Sequence, residues 1–356
     1  MRSFIRHLST LGLAAVLSTT LVPAAFAKDS FKVAWSIYVG WMPWDYAAKE
    51  GIVKKWADKY GIDIEVVQIN DYIESINQYT AGGYDGCVMT NMDALTIPAA
   101  GGVDSTALIV GDFSNGNDGV VMKGGSDLAA IKGQKVNLVE LSVSHYLLAR
   151  ALDSVNLKER DLTVVNTSDA DMVAAASSAD VTSLVTWKPQ LSEIMSTVKD
   201  ANLVFDSSKI PGEIIDLMVV NSATLEKHPE LGKALVGAWY ETLSIMSKDD
   251  AKGKAAREFM AKASGTDLAG YEGQMATTKF FFTPTDALGF TTSTSLVDTM
   301  KMVAAFSFDH GLLGEGAKSA EAIGMSFPGG KTLGDSANVK LRFNETYMQM
   351  AADGKL

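Results

Sequence analysis

The amino-acid sequence predicts an α/β protein of two lobes, built on mixed, mainly parallel sheets with a ligand cleft between them. Three observations carry the prediction. Segments with strand periodicity alternate with segments of helical spacing from Phe31 onward, the pattern of helices packed on a parallel sheet. The alternation pauses near Gly111 and starts afresh near Gly119, so the chain builds two such modules. With 356 residues, 47% of them hydrophobic and 21% charged, the chain exceeds one small core and is too apolar for intrinsic disorder.

Residues 31–37 (FKVAWSI) alternate as a strand, and 44–60 have helical spacing with Pro43 near the first turn and Gly61 as the stop. A second strand follows at 63–69, then a helix at 72–81 ended by Gly82-Gly83. Next come a short strand at 84–89, a helical stretch at 92–100 and a strand at 105–111. The second module has strands at 119–123, 133–139, 162–165, 181–186 and 203–205, with helices at 145–155, 169–176 and 191–196. GDFSNG at 111–116 and Gly124-Gly125 read as turns. After an apolar strand at 215–221 the pattern becomes helical, at 222–226, 231–246, 250–263 and 295–310. Crossings near Gly119 and near Val219 assign 28–118 plus 221–356 to lobe one and 119–220 to lobe two.

The N-terminus reads as an export signal, 1–27. Arg2 and Arg6 precede a mostly apolar run from Leu8 to about Ala24, and Ala25-Phe26-Ala27 supplies an A-x-A site. No cysteine follows that run, which excludes a lipoprotein anchor. The full chain has 31 basic and 42 acidic side chains, a net charge of −11; cleavage after Ala27 removes two arginines and leaves −13. No later segment has the ~18 uninterrupted apolar residues of a membrane span. The expectation is a soluble periplasmic protein. Its acidity disfavours nucleic acid and anionic lipid as partners.

Chemistry-bearing motifs are scarce. Cys87 is the single cysteine, and His7, His145, His228 and His310 are the four histidines, without zinc-ligand spacing. GxSxG, GxxxxGK[ST], HExxH and CxxC are all absent. The chain therefore reads as a binding protein, not an enzyme, with no cofactor, no metal and no catalytic residues.

Ligands of open α/β sheets collect beyond the carboxyl ends of strands, so the residues there are the site candidates. After strand one, Tyr38, Trp41, Trp44 and Asp45 suit either a core cap or a cage whose ring faces attract a flat or cationic ligand. Asp71 after strand two, and Asn91 and Asp93 after the third strand, suit either helix caps or ligand acceptors. Glu140 follows an apolar strand, Ser142 suits a cap or a ligand, and Trp187 ends another strand. Asp216 lies inside the apolar run IIDLMVV, where an acid is costly unless paired. Lys188 and His145 are the obvious positive groups nearby. Such a cleft suits a small cation better than an anion, which wants Arg, Lys or bare helix N-termini.

These segments resemble the periplasmic substrate-binding proteins of ABC importers, in the branch that includes thiamine-precursor, nitrate and alkanesulfonate binders. The resemblance rests on FKVAWSIYVGW, WDYAAKEGIVKKWADKYGIDIEVV and YTAGGYDGCVMTNMDAL. In lobe two it rests on DLAAIKGQKVNLVELSVSHYLLARAL, DVTSLVTWKPQLSEI and IDLMVVNSATLEKHPEL. It implies a type II-like two-lobe fold, a ligand at the interface, hinge closure, and delivery by a monomer to an inner-membrane ABC permease. Within the branch the chain is similar to the urea-carboxylase-associated binding proteins, which makes guanidinium or urea the implied ligand. Ionised acids favour guanidinium, because carboxylates accept bidentate bonds from its edge and neutral urea would leave their charge uncompensated. Taurine, alkanesulfonate or nitrate capture, and a thiamine-precursor type of function, are the rivals. Asp45, Asp71 and Asp93 around the ligand loops depart from an anion-binding pattern.

Overall fold

A computed structural model describes residues 28–356; the predicted signal peptide, 1–27, lies outside them. The first module folds as β1 (Ser30–Trp35), β2 (Asp63–Gln68), β3 (Gly86–Thr90) and β4 (Ser105–Ser114). Then come β5 (Asp118–Lys123), β6 (Lys135–Leu138), β7 (Thr163–Asn166), β8 (Ser183–Trp187) and β9 (Ala201–Asp206). β10 (Ile215–Asn221) follows, and the tail contributes β11 (Thr278–Phe280), β12 (Gly324–Phe327), β13 (Lys331–Leu333) and β14 (Val339–Phe343).

The strands form two sheets. The larger runs β13-β12-β14-β4-β10-β3-β1-β2, with β11 also on β4; the smaller runs β7-β6-β8-β5-β9. Both are mixed. The antiparallel pairings concentrate on β5 and β10, the strands that open the chain's passage into the second module and its return. With these pairings counted, parallel and antiparallel contacts balance more closely than the βα alternation suggests, because each crossing reverses the direction in which the chain meets its sheet.

The two crossings lie between Ser114 and Asp118 and between Asp206 and Ile215. This corrects the second predicted boundary. β10 pairs with β3 and β4, so 215–220 belong with the larger sheet, and the return falls at 207–214 rather than near Val219. An apolar strand can be buried in either sheet; only its register decides which.

Local rules explain the other departures. The helix predicted at 44–60 is two helices, Met42–Lys49 and Ile52–Tyr60, because Gly51 takes the left-handed φ of 72° between them. GDFSNG is not a free turn, since Asp112 and Phe113 continue β4. The tail is not purely helical: four strands of three to five residues complete the larger sheet, too short for their alternation to stand out.

Helix Pro229–Met246 packs across helix Ile52–Tyr60, with Gly237 directly against the Trp56 ring, where a methyl group would have no room. Helix Thr294–Asp309 reaches the second module, where Phe306 packs edge-on to Tyr146 at 5.2 Å. Among the described residues, no helix is long and apolar enough to cross a membrane.

Candidate ligand-binding site

A small cavity lies where the two modules meet. The larger-sheet module contributes Tyr38 and Trp41 from the loop after β1, Tyr72 from helix Tyr72–Thr80, Thr90 from the end of β3, and Asp216 from β10. The smaller-sheet module contributes Asp118 from β5, Val143 from helix Val143–Ser154 and Trp187 from β8, while Ile214 closes the wall from the return segment. They enclose a small cavity of about 20 Å³.

The rings form a partial cage. Tyr38 meets Trp41 edge-on at 5.0 Å, Trp41 tilts over Tyr72 at 5.4 Å, and Tyr72 meets Trp187 edge-on at 5.8 Å. Tyr72 is held in place from behind. Its hydroxyl accepts the Thr90 amide N–H at 2.9 Å and donates to Asp93 Oδ2 at 2.6 Å. Thr90 Oγ1 donates to the same oxygen at 2.8 Å. Trp41 Nε1 is buried with no acceptor.

The acids are the second feature. Antiparallel pairing of β4 and β10 sets Asp112 directly opposite Asp216. Asp118 comes from the other module, and the Tyr38 hydroxyl lies 3.5 Å from Asp112 Oδ1. Asp93, Asp112, Asp118 and Asp216 are all buried. Asp112 Oδ2 and Asp216 Oδ2 have no hydrogen-bond donor. Gly40 leaves space for this arrangement: a Cβ there would sit 2.5 Å from both Asp112 Oδ2 and Tyr38 Cε1.

Burial disfavours the charged form of each acid. It pushes Asp112 and Asp118 up to about 7 and Asp93 up to about 6. Asp216 stands well above the usual carboxylate range, through burial first and then the charge of Asp112. Among the described residues, no Lys, Arg or His lines the cavity. Lys188 points its Nζ at Thr277 Oγ1, 2.9 Å away.

Of the residues expected at the site, Tyr38, Trp41, Trp187 and Asp216 line the cavity, and Asp93 stands behind its Tyr72 wall. Six lie elsewhere. Trp44 stacks on Trp239 at 5.2 Å within the core. Asp45 pairs with Lys49 at 3.0 Å, one turn along its own helix. Asp71 caps the next helix by accepting the Glu74 amide at 2.9 Å. Asn91 clamps the return segment, donating to the Glu213 carbonyl at 3.1 Å and accepting the Ile215 amide at 3.0 Å. Glu140 is exposed on an outer groove beside Asp71. Ser142 caps helix Val143–Ser154 and donates to the Val139 carbonyl at 2.7 Å. Asp71 and Ser142 thus serve as helix caps and Trp44 as a core residue, whereas Asn91 binds the return segment and leaves the cap of its helix to Thr90.

Tyr72, Asp112 and Asp118 were missed. Asp112 had a usable signal, since it interrupts the apolar run TALIVGDFS just as Asp216 interrupts IIDLMVV. Tyr72 and Asp118 carry no local mark.

Among the described residues, two clusters have metal-type ligands, His145–Glu159–His310 and Asp29–His228–Glu230. In the first, His145 Nδ1 accepts the Leu141 amide at 3.1 Å, which leaves the proton on Nε2, facing Glu159 Oε1 at 3.1 Å. His310 Nε2 lies 2.6 Å from Glu159 Oε2. A metal-ligating histidine usually donates its second N–H instead. The Glu159–His310 hydrogen bond links the second module to helix Thr294–Asp309, and His145 Nε2 has no hydrogen-bond partner. In the second, Asp29 is largely exposed and only one His ring nitrogen is offered.

Two α/β modules, joined by paired crossing segments around a cavity of rings and acids, define the two-lobe fold of periplasmic binding proteins. The alkanesulfonate-binding protein of Xanthomonas axonopodis pv. citri, solved with bound MOPS, superposes with a TM-score of 0.67 at 16% identity, covering 82% of this chain and 96% of that one. The aliphatic sulphonate-binding protein of Escherichia coli gives 0.65 at 15% identity, covering 81% and 95%. The nitrate-binding protein of Synechocystis PCC 6803 gives 0.57 at 14% identity, covering 92% and 99%. Residues 33–260 match the NMT1-like family, and the chain belongs to that family. The taurine-binding periplasmic protein of Escherichia coli (strain K12) is 27% identical over 130 residues, 36% of this chain; the match spans only 40% of that relative.

Proposed function

We propose that this protein is the periplasmic solute-binding component of an ABC importer, and that its cavity captures the guanidinium cation for delivery to a membrane permease. One observation carries the choice of ligand. Asp118 and Asp216 line the cavity from opposite modules, Asp112 faces Asp216, Asp93 lies behind Tyr72, and no basic side chain among the described residues lines the cavity. A planar cation supplies both what the acids lack, N–H donors and positive charge, and two faces for Trp41, Tyr72 and Trp187. The importer role rests on the family, the fold and the sulfonate- and nitrate-binding names of the relatives. The basic-then-apolar N-terminus supports the periplasmic location.

Urea fits the same space and donors but brings no charge, so it is the weaker ligand. Taurine is favoured by one relative's name, yet its sulfonate would find no Lys, Arg or His on the lining and four buried carboxyls around it.

A thermal-shift and calorimetric panel of guanidinium, methylguanidine, urea, taurine and nitrate tests this reading. A ligand at 100 times its Kd stabilises by about 2.7 kcal/mol. Guanidinium is expected to give the largest shift. A response to taurine or nitrate with none to guanidinium would overturn the assignment.

A further inference from the structure

We propose that the free protein holds a proton between Asp112 and Asp216 and that the cation enters in exchange for it. The inference rests on the cation reading above and goes one step further, to what occupies the acids before the ligand arrives.

The geometry points to a shared proton. β4 and β10 place the two carboxyls directly opposite each other, where like charges repel. Both side chains are buried. The titratable groups facing them are Tyr38 from the loop after β1, Asp118 from β5 and Tyr271 from helix Leu268–Met275, with Asp93 beyond Asp118; none is basic. The Tyr38 hydroxyl offers one hydrogen, 3.5 Å from Asp112 Oδ1, and the Oδ2 atoms of both acids have no donor. One proton between the two carboxyls removes a charge and supplies the missing donor. Burial acts in the same direction, holding Asp112 up to about 7 and Asp216 well above its usual range.

Guanidinium changes this balance. Its N–H groups replace the proton as donor and its charge compensates the second carboxylate, so the proton leaves to solvent: carboxylic acid plus cation becomes carboxylate–cation pair plus H⁺. Urea brings donors but no charge, so the proton stays when urea binds.

The test is calorimetric titration of the full mature chain with guanidinium at pH 6.5, in buffers of different ionisation enthalpy. Wild type should release about one proton or more, with affinity tightening by about tenfold per pH unit for each proton released between pH 5 and 7. In D216N, shown folded by circular dichroism, the release should fall by about one proton. A ligand-free arm reads the proton directly. At pH 7 the infrared spectrum of the free wild type should contain a protonated-carboxyl C=O stretch whose intensity falls in D216N by about one carboxyl. Guanidinium binding with buffer-independent enthalpy and pH-independent affinity would overturn the exchange while leaving cation capture standing. Absence of the infrared band in the free protein would overturn it whichever ligand binds, and failure of guanidinium to bind at all would overturn both readings.

Discussion

Replacing Asp118 by asparagine should move stability and ligand capture in opposite directions. Asp118 is buried, with its carboxyl pushed up to about 7 chiefly by burial. In the unfolded chain the same group titrates near ~3.9. The folded state therefore holds the proton more tightly than the unfolded state. The resulting stabilisation is fully present below about pH 4 and is lost as pH rises through about 7. At pH 8 the ionised group costs the ligand-free fold on the order of 4 kcal/mol relative to acid conditions. Asparagine keeps the shape and removes the charge, but its amide must find partners, at a cost of about 1–3 kcal/mol. The net expectation is D118N more stable than wild type by about 1–3 kcal/mol at pH 8, with the advantage shrinking towards pH 5. Guanidinium affinity should fall roughly 10- to 100-fold, from loss of one charged hydrogen bond. Urea denaturation at both pH values reads the first effect; urea is a weak ligand in this reading, so thermal melts serve as a check. Guanidinium calorimetry reads the second. A D118N protein less stable than wild type at pH 8 that still binds guanidinium fully would refute the reasoning.

Three further outcomes are expected. G40A should lower the melting temperature and abolish the guanidinium shift, because the added methyl meets Asp112 Oδ2 and Tyr38 Cε1 at 2.5 Å. L141G should stabilise the protein by about 1 kcal/mol in denaturant titrations, since Leu141 holds a φ of 64° with 42% of its surface exposed. D45N should leave guanidinium affinity unchanged in calorimetry, because Asp45 pairs with Lys49 outside the cavity; a tenfold loss would return it to the site.

Legibility followed the range of the interaction. Tyr38, Trp41, Trp187 and Asp216, which line the cavity, were singled out by strand ends and an acid in an apolar run, which are local features. Trp44 and Asp71 shared the same local signal yet went to the core and to a helix cap. Whether an aromatic faces a cleft or a neighbouring helix depends on what packs there, and helix Pro229–Met246 brings Trp239 from far along the chain. Asp71 and Ser142 illustrate the same ambiguity for caps, because one oxygen satisfies an amide or a ligand equally well.

The α/β class, the two modules and the acidic, ring-rich character of the site follow from the sequence alone, since periodicity and composition are properties of neighbouring residues. Only the tertiary structure decided that β10 rejoins the larger sheet, that Asp112 faces Asp216 across it, and that Asp118 meets them from the other module. Strand register and the meeting of two lobes are set by burial summed over the whole molecule, which no single stretch of chain records.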